Sequence, residues 1–292
     1  MMNKINLQLS PKFMIIWLVL FSGYARAQLS GTYTIGGEGS DFTDFADAVQ
    51  ALKYDGIGGD VGFLVTPGTY YNVSMVDIEN SENYKIQFIA NVSVNDTVFI
   101  AGQLLVRKTN NVSFNGFTMY PQINQTTSCI FVDESNDFLL KKCYVLNLFN
   151  NNFGSGEALV KMEFPWVKEE FIAEIDSCKI YSEDETIRYS GENAKVFMRN
   201  SYFTGTFENM MGDVETEYIS NVFHFTDYWL NNNWQTFRGN TIYYEGIGEL
   251  FTKGNLLNNV FHCAVNIGSG SIRKNTFYGD VHMSHMIYGY FY

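Results

Sequence analysis

After residue 110 the chain repeats one short pattern, apolar-x-x-(Asn or Cys)-x-apolar, eight times. Its fourth position is Asn115, Cys143, Cys178, Asn200, Asn221, Asn240, Asn259 and Asn275. Three places earlier stand Val112, Leu140, Ile175, Phe197, Tyr218, Phe237, Leu256 and Ile272. Two places later come Phe117, Val145, Ile180, Tyr202, Phe223, Ile242, Phe261 and Phe277. A unit this small cannot bury its own apolar face, so successive units must stack. The anchors lie 28, 35, 22, 21, 19, 19 and 16 residues apart, without helical periodicity, which predicts one turn of a coil of short parallel strands per unit. The flanking apolar residues then form two inward columns. The polar residue between them sits at a bend, where Asn tolerates left-handed geometry and stacked side chains bond to one another. The longer early gaps predict loops inserted around 150–156 and 167–170.

The segment before the repeats reads differently. Phe42, Phe45, Val49 and Leu52 fall at helical spacing, Ser40 or Asp41 can cap the start, and Gly56, Gly58 and Gly59 end the helix. Val61–Val65 then reads as a buried strand, with a turn at Pro67-Gly68. A helix in this place covers the open end of a strand stack. Further strands are expected over Tyr84–Ala90, Val98–Ile100 and Leu104–Val106. The expected fold class is therefore all-β, with a cap at about 36–70 and ladder coils at about 110–285 of a domain spanning 28–292.

Composition adds the compartment and narrows the partners. Lys4 and Lys12 precede the apolar run Phe13–Phe21, and Ala25-Arg26-Ala27 is an A-x-A cleavage site, so residues 1–27 read as a secretory signal peptide. No later stretch is long and apolar enough to span a membrane, and the expected location is extracellular or at the cell surface. The signal segment carries three of the 19 cations and none of the 31 acids, so its loss moves the net charge from −12 to −15. That sign argues against nucleic acid as a partner. Five glycosylation sequons, at Asn72, Asn91, Asn95, Asn111 and Asn124, are the chance yield of an Asn-rich chain. Cys129, Cys143, Cys178 and Cys263 match no zinc spacing. Cys143 and Cys178 occupy neighbouring rungs, about 4.8 Å apart, which suits either a disulfide or two buried thiols standing in for Asn. After His285 the chain runs Met-Ile-Tyr-Gly-Tyr-Phe-Tyr without a polar cap, which fits a truncated chain or an end covered by a partner or by self-association.

The asparagine ladder and stacked apolar columns resemble the right-handed parallel β-helix of the pectin lyase-like superfamily. The stretch GSDFTDFADAVQAL…VGFLVTPGTY resembles the capping helix and first strand of pectin methylesterase-like secreted proteins. The resemblance implies a right-handed solenoid and does not imply one activity, since the superfamily includes lyases, hydrolases, esterases, epimerases and non-catalytic surface proteins. Asp137-Phe138-Leu139-Leu140 and Phe164-Pro165-Trp166 echo the esterase motifs but lack the glycine of one and the arginine of the other. The Arg-x-Pro-x-x-Arg signature of pectate lyases and the paired aspartates of polygalacturonases are absent.

Three sets of residues are candidates for chemistry. Carboxylates cluster at Glu183-Asp184-Glu185 and at Asp213, Glu215 and Glu217, a composition that suits Ca²⁺, glycoside cleavage or a solvated turn. No EF-hand or nonapeptide calcium motif is present, so no cofactor is expected beyond a weak Ca²⁺ option. The strand face on which the resembling superfamily binds polymers would here expose Lys161, Arg188, Asp213, Glu249 and His282, with Lys161, Arg188 and Asp213 as catalytic candidates. One place beyond the inward column stand Tyr181, Phe203, His224, Tyr243, His262 and Tyr278, expected to face outward and to bind a polysaccharide or another extended polymer. The alternative for that column is a cross-strand ladder that serves only the sheet. Binding or surface display is the first functional expectation, and a divergent polysaccharide-degrading enzyme the second.

Overall fold

The computed structural model describes residues 28–94, 96–148, 153, 157–165, 170–183, 185–229, 235–244, 250–252, 254–268 and 270–283; the side chains of 208–213, 227–229, 250–252 and 283 are outside the description. The signal-peptide reading of 1–27, the apolar terminus after 283 and most of both expected loop insertions therefore lie outside the described residues.

The described chain is all-β apart from one helix, Phe45–Tyr54 (α1). That helix starts later than the sequence suggests. Asp44, not Ser40 or Asp41, is the N-cap, its carboxylate accepting the Asp47 N–H. Asp41 is engaged elsewhere, accepting from the Thr34 N–H and hydroxyl at 2.8 Å, and Phe42 bridges Ile35. Phe45, Ala48 and Leu52 face the core, and Gly56, at φ 82°, follows the last turn.

Every strand pairing is parallel, and pairs join residues one coil apart. Three strand rows result. The first row holds Ile86–Ala90, Val112–Asn115, Phe138–Lys141, Phe171–Asp176 and later members through Ile272–Arg273. The second follows the ladder corner: Thr118–Tyr120, Tyr144–Leu146, Lys179–Tyr181 and onward to Thr276–Phe277. The third includes Ile130–Asp133 and Val160–Glu163. A parallel strand needs a crossover, and here each crossover is the remainder of the coil.

Inward columns fill the space between rows. In the first row Phe63, Phe88 and Phe114 stack at 4.8 and 4.9 Å, followed by Leu140, Ile175, Met198, Tyr218, Phe237, Leu256 and Ile272. In the second, Met119, Val145, Ile180, Phe203, Phe223, Ile242 and Phe261 stand in register. Burying each large side chain stabilises by about 1.5–3 kcal/mol.

Between these columns runs a polar ladder, shifted in two coils from the sequence expectation. Its members are Cys143, Cys178, Ser201, Asn221, Asn240, Asn259 and Asn275, and in the first coil Phe117 takes the same place without a polar side chain. The Asn221 N–H reaches Asn240 Oδ1 at 2.8 Å, Asn240 reaches Asn259 at 3.0 Å, and Asn259 reaches Asn275 at 2.8 Å. Each amide nitrogen also donates to a carbonyl of the preceding coil, as Asn240 Nδ2 does to Tyr218 O at 2.8 Å. In the fourth coil Ser201, not Asn200, holds the place, donating its N–H to Asn221 Oδ1 at 2.9 Å and accepting the Cys178 N–H at 3.0 Å. Asn200 is the left-handed residue before it, at φ 51°, and its exposed side chain bonds Asp176. Ser177, Ser220, Gly239, Asn258 and Lys274 take the same conformation in other coils, so the positive φ belongs to the residue before the ladder. In the first coil Phe114 pairs with Leu140, which places Phe117 at the ladder and leaves Asn115 opposite Lys141. Asn suits both a left-handed turn and a buried ladder, and the sequence pattern cannot separate the two.

A second, shorter polar ladder was not visible in the repeat. At the corner between third and first rows the Ile78 N–H bonds Thr109 Oγ1 at 3.3 Å, and the Thr109 N–H bonds Ser135 Oγ at 3.2 Å. Asp77, Lys108 and Glu134, each just before, have positive φ.

Asn240→Ala removes the acceptor of one buried N–H and one buried carboxamide, and should cost about 3 kcal/mol. Asn200→Ala loses only left-handed tolerance and a surface bond, about 1 kcal/mol. Urea midpoints of the two variants check the assignment: equal losses would place Asn200 back in the ladder.

Candidate functional site

The second-row outer face is built by the ladder register. Because Phe203 pairs with Ile180 and Phe223, it points inward and is 0% exposed, so it is not part of the exposed column. The register gives its outward place to Thr204, whose hydroxyl is held by Ser182 O and the Ser182 N–H. The Tyr202 ring fills the gap, with centroids 5.3 Å from Tyr181 and 5.4 Å from His224. The column continues His224–Tyr243 at 4.4 Å, Tyr243–His262 at 4.5 Å and His262–Tyr278 at 4.7 Å, with planes within 18° of parallel. Six rings therefore line this face over five strand spacings, roughly 24 Å, the last four stacked and Tyr202 tilted by 38–39° to its neighbours.

Stacking decides what this column offers. Rings this close and this parallel cover one another's faces, so their edges carry the exposed chemistry. Those edges are phenol hydroxyls and imidazole nitrogens, repeating at each strand spacing. Burial, then the neighbouring Tyr181 and Tyr243, push the Tyr202 hydroxyl above its ordinary value. The same face extends to earlier coils, where the Lys179 ammonium sits 5.3 Å over the ring of the exposed Tyr144. A missed one-residue shift at Ser201 is what hid Tyr202 from the sequence pattern.

The third-row outer face carries the charged candidates. Lys161 and Arg188 pair in register on adjacent coils. Lys161 Nζ is bonded to Glu157 Oε1 at 3.1 Å and Glu163 Oε1 at 3.0 Å and lies 5.0 Å over the Phe131 ring. Burial works to lower its pKa, but the bonds to Glu163 and Glu157 outweigh that and raise it. A lysine held so is a poor neutral base. Arg188 is buried and ion-paired with Glu185 at 3.5 Å. Asp213 does not join them: the register sets Glu208 opposite Arg188, and Asp213 follows Gly212 at the next corner, its side chain outside the description. Asp133, Glu157 and Glu163, unsuspected in the sequence, are the carboxylates gathered here. Asp133 and Glu163 pair in register, and burial, then Glu134 and Glu163, raise the Asp133 carboxyl.

The acidic clusters split across faces. Glu185 turns to Arg188, whereas Glu215 and Glu217 lie on the first row near Lys195, which is bonded to Glu170 at 2.6 Å. Glu183 is exposed, and Asp184 and Glu249 lie outside the described residues. His282 is exposed in a separate three-stranded sheet, opposite Asn266. Among the described residues no group of three His, Cys, Asp or Glu side chains is placed to hold a metal, and no helix is long and apolar enough to cross a membrane.

No protein-family model and no curated protein matches this chain. Among solved structures it is similar to a rhamnogalacturonan lyase at 13% identity, with 88% of this chain and 84% of that one aligned and a TM-score of 0.48. It is also similar to a deglycosylated pectin methylesterase from Aspergillus niger at 13% identity, over 88% of this chain and 86% of that one, with a TM-score of 0.29. Likeness at this level carries over neither residue roles nor activity.

Glu157 makes the third-row cluster testable through pH. Burial works to raise its carboxyl, but the bonds from Ser128 and Lys161 hold it below the ordinary 4.5. Such a group contributes its stability in full above the unfolded value and loses it as pH falls through the folded one. The urea midpoint of the wild type should therefore fall more steeply than that of Glu157→Gln between about pH 5 and pH 3. Parallel slopes would mean that the cluster adds nothing to stability.

Proposed function

We propose that this chain is a secreted, right-handed parallel β-helix of the pectin lyase-like kind that binds an extended polysaccharide along its second-row face. The observation that carries the reading is the six-ring column Tyr181, Tyr202, His224, Tyr243, His262 and Tyr278. Its pre-stacked rings have little rotamer freedom left to lose, which lowers the entropic cost of binding. Their edges repeat hydrogen-bonding groups along a straight line, a pattern that suits the hydroxyls of an extended sugar polymer and not a compact ligand. The formal charge of −12 makes the face a poor partner for nucleic acid.

Catalysis from the third-row face is the second reading, favoured by one observation. Asp133, whose carboxyl is raised above its ordinary value, stands one coil from Glu163, which is ion-paired with Lys161 at 3.0 Å. A carboxyl kept protonated more readily than usual beside a second carboxyl is what acid-assisted glycoside cleavage requires. Lys161 and Arg188 then act as clamps and not as bases.

Binding of pectin, alginate and a neutral glucan, measured by affinity electrophoresis with reducing-end assay in parallel, separates these readings. Wild type should bind at least one polymer without releasing product, and Tyr243→Ala or His262→Ala should weaken binding about tenfold, or 1.4 kcal/mol. Unchanged binding by both variants would sink the second-row site, and product formation lost in Glu163→Gln would establish the enzyme instead.

A further inference from the structure

Cys143 and Cys178 are the weak step of the ladder. Where Asn side chains meet, an oxygen accepts at 2.8–3.0 Å and the amide nitrogen donates to a carbonyl of the preceding coil. Where the cysteines meet, the buried Cys143 N–H has only Cys178 Sγ, at 3.4 Å. Each thiol reaches back one coil, Cys178 Sγ to Leu140 O at 3.4 Å and Cys143 Sγ to Phe114 O at 3.6 Å, and each lies by a carbonyl of its own coil, Asp176 O at 3.3 Å and Lys141 O at 3.2 Å. Thiols are weak donors and weak acceptors, so rotating either side chain gives up little. Both residues are buried, and the strands that follow them pair in register from Tyr144 with Lys179 to Leu146 with Tyr181. Adjacent coils are spaced at about 4.8 Å, inside the Cα range of a disulfide. The other two cysteines are placed differently: Cys129 precedes the third-row strand Ile130–Asp133, and Cys263 follows the second-row strand Val260–His262.

We propose that Cys143 and Cys178 form an inter-coil disulfide when the chain folds in the presence of a disulfide-bearing oxidant, replacing the weakest contact of the ladder with a covalent one. One cysteine, as thiolate, attacks a sulfur of the oxidant, making a mixed disulfide and releasing one thiol. The second cysteine displaces the other half, so two protein S–H bonds are lost, one S–S bond forms and the oxidant leaves as two thiols. Burial raises the Cys178 thiol, which makes the closed coils slow to react and assigns the exchange to the folding chain. The bond closes a loop between residues 35 apart, long enough to restrict the unfolded chain appreciably.

The test is folding of the full chain in a glutathione redox buffer, alkylation under denaturing conditions, and mass spectrometry of the unreduced digest. A linked pair of peptides holding Cys143 and Cys178 is expected, with Cys129 and Cys263 alkylated and all four cysteines alkylated after reduction. The oxidised protein should melt about 5–10 °C above its reduced form. That difference should vanish in Cys143→Ser and Cys178→Ser, conservative changes because Ser201 already holds a ladder place. Four alkylated cysteines after oxidative folding, or a link through Cys129 or Cys263, overturns the proposal. Should the serine variants fail to fold, the wild-type mass map still decides.

Discussion

In six successive coils, from Cys143 to Asn259, one backbone N–H points into the interior at the corner between the first and second strand rows and bonds the side chain of the next coil. Left unbonded, each such group costs on the order of 1–3 kcal/mol, and the cost recurs coil after coil. Asparagine meets the requirement because one side chain both accepts and donates: Asn240 accepts from the Asn221 N–H and donates to Tyr218 O. The same bonds set where each coil sits on the next, so the stacked phenylalanines, the buried aliphatic columns and the outer faces all inherit their register from this corner.

The outer faces show how that inheritance works. On the second row the register brings His224, Tyr243, His262 and Tyr278 over one another at 4.4–4.7 Å, so a continuous ring column forms along that face. Where the register would have left Thr204 in the strip, Tyr202 closes the break from the adjoining column. On the third row the same stacking sets Lys161 beside Arg188 and Asp133 beside Glu163. There the cations are absorbed by Glu157, Glu163 and Glu185. One face thus offers repeated polar edges, and the other a set of ion pairs between Lys161 or Arg188 and neighbouring glutamates.

The repeat made the coil period, the all-β class and most inward residues legible before any coordinates, because a period near 20 residues with flanking apolar positions admits few packings. The later coils, from Asn221 onward, were read in their true register. Two coils were not. At Asn200 the local pattern is satisfied equally by Asn at the ladder or Asn at the left-handed turn, and only the bond from Ser201 to Asn221 separates them. At Asn115 the left-handed turn belongs to Gly116, at φ 85°, and Phe114, not Val112, aligns with Leu140. Since side chains alternate across a strand, the one-residue slip in the fourth coil moved Phe203 from core to surface on paper.

By itself, then, the sequence determined the architecture's period, its inward columns and the residue types available for a site, because these follow from local alternation and repetition. Only the tertiary structure decided which neighbours share a face: that Tyr202 completes the ring column, that Asp133 pairs with Glu163, and that Asp213 stands apart from Arg188. Those outcomes depend on contacts between coils some 20–35 residues apart, and no local pattern encodes how much chain each loop spends before the next coil begins.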